Sequence, residues 1–225
     1  MKINANFDEA VAIHTEAMEW VPSPMSGVDR RMLDRIGDEV ARATSIVRYA
    51  PGSHFAAHTH SGGEEFIVLE GVFQDEHGDY PAGTYVRNPV GTHHIPRSDD
   101  GCTIFVKLWQ FDPADQDQFS VDMSSANLDG VQGETGVSRA VLTDRPDELV
   151  LLEEWQPDTV RKLGEDGGAE LLVLAGEIRF GPEDFGKHGW VRIPAGKDRE
   201  IAAGPAGARV WIKTRHLSAV SAPTA

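Results

Sequence analysis

Residues 51–94 read PGSHFAAHTHSGGEEFIVLEGVFQDEHGDYPAGTYVRNPVGTHH. Glycine and proline punctuate short apolar runs throughout this stretch, which is the turn chemistry of an antiparallel β structure rather than of helices. His58 and His60 are two residues apart, so on a strand they share a face. The Ser61-Gly62-Gly63 turn then lets the chain reverse and present Glu64, and His94 arrives from a separate strand. Three imidazoles and one carboxylate converging from different strands suit one divalent transition metal, such as Zn, Fe, Mn, Ni or Cu.

The same punctuation continues outward. Strands are expected at 42–50, 53–60, 65–73, 83–88, 93–97 and 103–111, and again at 148–156, 169–180, 187–193, 198–203 and 208–216. Residues 29–38 read as a further strand with Arg30 and Arg31 on opposite faces. Residues 7–19 are open to a helix or a strand, and Pro22 and Pro24 end either one. On the 53–60 run, His54 shares the parity of His58 and His60. On 103–110, Phe105, Lys107 and Trp109 share one face and Ile104, Val106 and Leu108 the other, with parity alone leaving open which is inward. Lys107 and Arg48 read equally as anion-binding or as solvated charges.

Composition bounds the function. The 225 residues carry a formal net charge of −15, with 40% hydrophobic and 25% charged residues, which is an ordinary globular balance. Nucleic-acid binding needs clustered Lys and Arg, and anionic membranes need the same, so neither partner is expected. The single cysteine, Cys102, excludes an internal disulfide and fits a reducing, cytoplasmic setting; it reads as a buried strand residue. No leader-like segment or long apolar run is present, so no membrane span is expected.

The chain repeats itself. A shift of 105 positions lays Glu65–Gly71 on Glu170–Gly176 and Tyr85–Gly91 on Trp190–Gly196. Two domains are therefore expected, at 1–112 and 137–225, joined by a linker at 113–136 rich in Asp, Ser, Gly and Gln. The ligand set is not repeated. His58 falls on Leu163, His60 on Glu165, Glu64 on Ala169 and His94 on Arg199. The second copy thus keeps the turns and drops the metal. It also retains Glu170 at the position of Glu65, and a residue kept without a metal serves structure. Glu64 is accordingly assigned to the metal, and Glu65 to a strand-end or pocket hydrogen bond.

These residues resemble the cupins. The first cupin motif, G(X)5HXH(X)3-4E(X)6G, is met by Gly52, His58, His60, Glu64 and Gly71. The second, G(X)5PXG(X)2H(X)3N, is met by Gly83, Pro89, Gly91 and His94, with Ser98 in place of its closing Asn, which is not a metal ligand in the family. The spacing from Pro89 and Gly91 selects His94 over His93. The wording HTHSGGEEFIVLEGVF and GTYVRNPVGTHHIP looks like the cupin domain of ChrR-type anti-sigma factors over roughly residues 15–112, and acetylacetone-cleaving dioxygenases look like more distant relatives.

The resemblance implies an all-β chain of two tandem double-stranded β-helix (jelly-roll) barrels. It implies a single metal held by His58, His60, Glu64 and His94, with zinc the first expectation, iron the second, and manganese or nickel after them. His54, Glu65 and His93 are expected beside the ligands. Two functions follow. A ChrR-like regulatory or sensing cupin would act in a transcriptional stress response with an ECF-type sigma factor as partner. A mononuclear iron-dependent dioxygenase would act on a small organic molecule, and a metal-dependent isomerase or hydrolase is a variant of it. The chain carries no His-Cys-Cys cluster of the kind that grips a sigma factor, and its one cysteine lies inside the first cupin. No separate catalytic acid–base pair stands out. A small-molecule ligand is expected under either reading, and a homodimer is compatible with the pseudo-symmetric pair.

Overall fold

A computed structural model describes residues 1–38 and 40–223. Among them the only helical elements are two short 3-10 turns, Thr15–Ala17 and Met123–Ser125; all other regular structure is antiparallel β. No helix among the described residues is long and apolar enough to cross a membrane. The chain divides into two compact units, one built from Met1–Ala5 and Glu19–Ser125, the other from Asn6–Met18 and Ala126–Val220.

In the first unit the main sheet runs Lys2–Ile3, Val28–Gly37, Ala41–Tyr49, Cys102–Leu108, Glu64–Asp75, Thr84–Asn88 and Phe119–Asp122. Strand Cys102–Leu108 inserts between Ala41–Tyr49 and Glu64–Asp75, so the sheet order crosses the chain order. A separate ribbon pairs His58–Thr59 with His93–His94. Alternation settles the faces. Val47, Phe66, Val68, Val86, Ile104 and Val106 pack into one buried cluster, so the even-numbered side of Cys102–Leu108 is the inward one.

The second unit runs Asp129–Gly130, Val137–Asp144, Leu149–Trp155, Arg199–Thr214, Ala169–Phe180, Trp190–Ile193 and Val11–Ile13. Its interior is filled by apolar residues, among them Leu163, Ala169, Leu171, Val173, Ile193 and Ile212. Leu163 and Ala169 stand where the first unit has His58 and Glu64. The repeat extends to backbone detail. Gly71 and Gly176 both have φ 71°, and a Cβ on either would lie 2.1 or 2.2 Å from the carbonyl oxygen of Gly101 or Gly207 respectively. Only glycine fits such a crossing.

Several boundaries differ from the sequence reading. Strand Phe119–Asp122 pairs with Thr84–Asn88 and extends the first sheet, within the stretch read as linker. In that stretch Asp115 is fully buried and ion-paired to the buried Arg87, so the acidic run is partly an internal counter-charge rather than a solvated face. Residues 7–19 supply strand Val11–Ile13 and the 3-10 turn, and the strand pairs with Trp190–Ile193 inside the second unit. The 198–203 and 208–216 runs form one strand, Arg199–Thr214.

Candidate metal centre

The 53–60 run is not one strand. It breaks into Ser53–His54 and His58–Thr59, with 55–57 between them. Parity therefore does not carry His54 to the other histidines: it is exposed, on a strand paired with Arg97–Ser98, outside their cluster. His58, His60 and His94 do come together. One ring nitrogen of each lies within 4.8 Å of the others. His60 and His94 are 6% and 2% exposed, whereas His58 sits at the exposed lip. His93 is exposed beside Thr59.

Glu64 is buried at the start of its long strand, with Oε2 3.3 Å from His60 Nε2 and 3.7 Å from His94 Nε2. The loop that delivers it is built on small residues. A Cβ on Gly62 would stand 2.2 Å from the Trp109 ring, and one on Gly63 2.4 Å from Phe111. Trp109 itself takes φ 59° and donates its N–H to the Gly63 carbonyl, bending the chain over the loop. Glu65 points the other way: Tyr85 Oη donates to it at 2.7 Å, and Arg87 lies 3.7 Å away. Lys107 shares that outer face, fully buried, and donates to Thr44 Oγ1 at 3.0 Å, so it neither reaches the cavity nor meets water. Arg48 is exposed and paired with Asp29 at 2.7 Å.

The partners of each imidazole fix its tautomer. His94 Nδ1 lies 3.3 Å from Asp75 Oδ2, a carboxylate acceptor. His58 Nδ1 lies 3.3 Å from the Ala56 carbonyl, also an acceptor. His60 Nδ1 lies 3.0 Å from Thr92 Oγ1, whose proton is already donated to the Pro89 carbonyl at 2.7 Å, so the hydroxyl accepts here too. All three Nδ1 atoms therefore carry the proton, and all three Nε2 atoms offer a lone pair. His60 Nε2 and His94 Nε2 stand 3.2 Å apart. Two facing lone pairs repel unless a proton or a metal ion lies between them. Donors bound about 2.1 Å from one ion sit about 3.0–3.4 Å apart, and the His60, His94 and Glu64 spacings fall at or near this range. The donor set fits a metal on its own chemistry.

The electrostatics agree. Burial holds the His60 pKa below its ordinary value, with the neighbouring histidines adding to it against Glu64. Burial also opposes protonation of His94, but the Asp75 hydrogen bond and the charges of Glu64, Asp75 and Glu76 together outweigh it, and its pKa is raised. A metal bound at His94 displaces that proton.

Asp75 escaped the sequence reading. Its Oδ1 accepts from the backbone N–H groups of His77 and Gly78 at 2.8 and 3.2 Å, and from Tyr80 Oη at 3.3 Å, while Oδ2 faces His94. The signal was an Asp opening the Asp75-Glu76-His77-Gly78 turn, which satisfies a turn and orients a ligand at once. The 105-residue shift lays it on Phe180, so the second copy has lost this residue with the ligands.

Residues 8–112 match the family model of the ChrR Cupin-like domain. These residues form a cupin domain of that family. No curated protein sequence matches the chain. Among solved structures this cupin is similar to a candidate dioxygenase from Nostoc punctiforme, with TM-score 0.76 and 14% identity, covering 97% of this chain and 87% of the other. It is similar to Bacillus subtilis oxalate decarboxylase, studied for its Mn(II) centers, with TM-score 0.61 and 11% identity, covering 97% and 81%. It is also similar to the 7S globulin of Momordica charantia, with TM-score 0.57 and 11% identity, covering 91% and 84%. At these identities the likeness establishes the two-cupin fold and does not choose among functions.

Proposed function

We propose that the first cupin is a mononuclear metal centre that performs oxygen-dependent chemistry on a small organic molecule. The observation that carries this is the set of three imidazoles whose Nδ1 protons are all committed, leaving three Nε2 lone pairs and the Glu64 carboxylate directed at one point. His58, His60, His94 and Glu64 would hold the ion, and iron(II) at such a site supplies open positions for a substrate and for O2. The chain's own contributions are orientation and exclusion. Asp75 and Thr92 hold the His94 and His60 rings. A cavity of about 400 Å³ adjoins the ligands, walled by Val47, Phe55, Val106, Leu108 and Trp109, and is large enough for a small organic substrate. Apolar walls keep water from competing at the reacting atoms. The Nostoc punctiforme neighbour is consistent with this reading, although its likeness is one of fold.

The family match over residues 8–112 favours a second reading, in which zinc fills the same site and the cupin is a cytoplasmic sensing module for a sigma-factor partner. The test is oxygen consumption by protein loaded anaerobically with iron(II) and offered small ketones and β-diketones. Substrate-dependent uptake that disappears in His94→Ala supports the oxygenase. Uptake that is absent with every substrate, in protein that retains zinc as purified, overturns it in favour of the sensor.

A further inference from the structure

The cavity beside the histidines is electrically divided. At one end stands Glu64 with the three imidazoles. At the other stand Arg30 and Arg35, which line the same cavity and also the adjoining outer lobe of about 570 Å³ beside Met1, Met25 and Met32. Between them the wall is apolar: Val28, Val47, Val106 and Leu108. Register makes both arginines inward-facing. Arg30 pairs with Val47, and Arg35 with Ala43; Ala43 pairs with Leu108, and Leu108 with Glu64. A one-residue irregularity between Met32 and Asp34 keeps both arginines on the inner side of one strand, while Asp34 aligns with the outer-face Thr44.

Two cations on one wall are costly. Arg35 is buried at 8% exposure, and its pKa is lowered by burial first and by the charge of Arg30 second. Its Nε donates to the Gly37 carbonyl at 3.2 Å and its Nη2 to the Asp38 carbonyl, which are neutral acceptors. The Asp38 carboxylate is ion-paired to the N-terminal ammonium. Among the described residues of the cavity the only carboxylate is Glu64, at the opposite end. Arg35 is buried, and Arg30 is half-buried with its Nε unpartnered. Asp38 lines the outer lobe beside them but is exposed and held by the N-terminal ammonium, so the two guanidinium groups are placed to recognise an anion.

We propose that this cavity binds an amphipathic carboxylic acid, its carboxylate on Arg30 and Arg35 and its apolar body lying over Val106 and Leu108 toward the histidines. This names the substrate class for the metal centre proposed above and rests on that reading for its chemistry, not for its binding. Three strand spacings separate Arg35 from Glu64, roughly 14 Å of wall at about 4.8 Å each. An unbranched acid of about eight carbons, roughly 10 Å when extended, spans most of that wall.

The experiment is calorimetric titration of the full chain with octanoate, 1-octanol and octylammonium, with metal content measured on every sample. Hydrogen bonds to a charged group imply a preference of at least about tenfold for octanoate over the alcohol, with octylammonium weaker still. Arg30→Gln/Arg35→Gln should remove that preference while metal content stays unchanged, and Arg30→Lys should restore part of it. Octanoate binding that persists in metal-free His94→Ala supports the acid site even if the metal reading fails. Octanol binding as tightly as octanoate, or no octanoate binding to metal-loaded protein, overturns the acid site and leaves the metal reading standing. Binding that survives the arginine changes but vanishes in His94→Ala puts the carboxylate at the histidines and also overturns the proposal. Should the double variant fail to fold, the octanoate-to-octanol ratio of the unaltered protein decides.

Discussion

Replacing Asp75 by Asn tests whether a hydrogen bond outside the ligand set holds the metal. Asparagine is nearly isosteric, and its oxygen can still accept from the His77 and Gly78 N–H groups, which hold Asp75 Oδ1 at 2.8 and 3.2 Å. The turn therefore survives. The amide NH2 must then face His94 Nδ1, where a carboxylate oxygen stood at 3.3 Å. Two donors repel, so His94 shifts its proton to Nε2 and loses the lone pair aimed at the metal. Loss of such an orienting partner typically weakens metal affinity about 10–100-fold, or about 1.4–2.7 kcal/mol. The assay is zinc competition against a chromophoric chelator, with thermal unfolding of the metal-free protein as control. The expected result is weaker zinc binding with metal-free stability nearly unchanged. Affinity within about twofold of the unaltered protein would refute the tautomer argument, because the ring would then be held without Asp75.

Other outcomes follow from the packing. Gly62→Ala drives a Cβ into the Trp109 ring, 2.2 Å away; overpacking of this kind costs about 1–3 kcal/mol, read in urea denaturation, and metal affinity should fall with it because the loop carries His60 and Glu64. Arg87→Ala strips the counter-charge from buried Asp115 and Glu65, which costs about 3–5 kcal/mol in the same measurement; a change under about 1 kcal/mol would mean the cluster relaxes. Burial pushes the Cys102 thiol up to about 11, so the native protein should resist thiol labelling at pH 8 until it unfolds. Because this folded pKa is raised, the associated stability is fully present below the unfolded value of about 8.5 and is lost as pH rises through the folded one; rapid labelling at pH 8 would contradict the burial.

Turn spacing and the 105-residue repeat made the two β domains legible, since glycine and proline report backbone geometry directly. The 169–180 strand coincides with its expected limits; Glu64 faces the histidines, and Glu65 faces Tyr85 and Arg87. What failed was parity on 53–60. Alternation holds only while a strand is continuous, and the break at 55–57 separated His54 from His58. The ion pair of Asp115 with Arg87 and the strand at 119–122 were hidden because an acidic, polar stretch reads the same whether its charges meet water or a buried arginine. Asp75 was hidden because one residue does two jobs and only the turn was visible. The place of Val11–Ile13 in the second unit rests on pairing between distant segments, which no local pattern encodes.

The central claim is that the three histidines hold a metal, and elemental mass spectrometry tests it most directly. The protein would be purified without a histidine tag or chelator from cells grown without added metal. About one transition-metal ion per chain is expected, lost in His94→Ala and retained when exposed His93 is replaced. A folded protein that carries no transition metal as purified and takes up none on dialysis against zinc or iron(II) would contradict it.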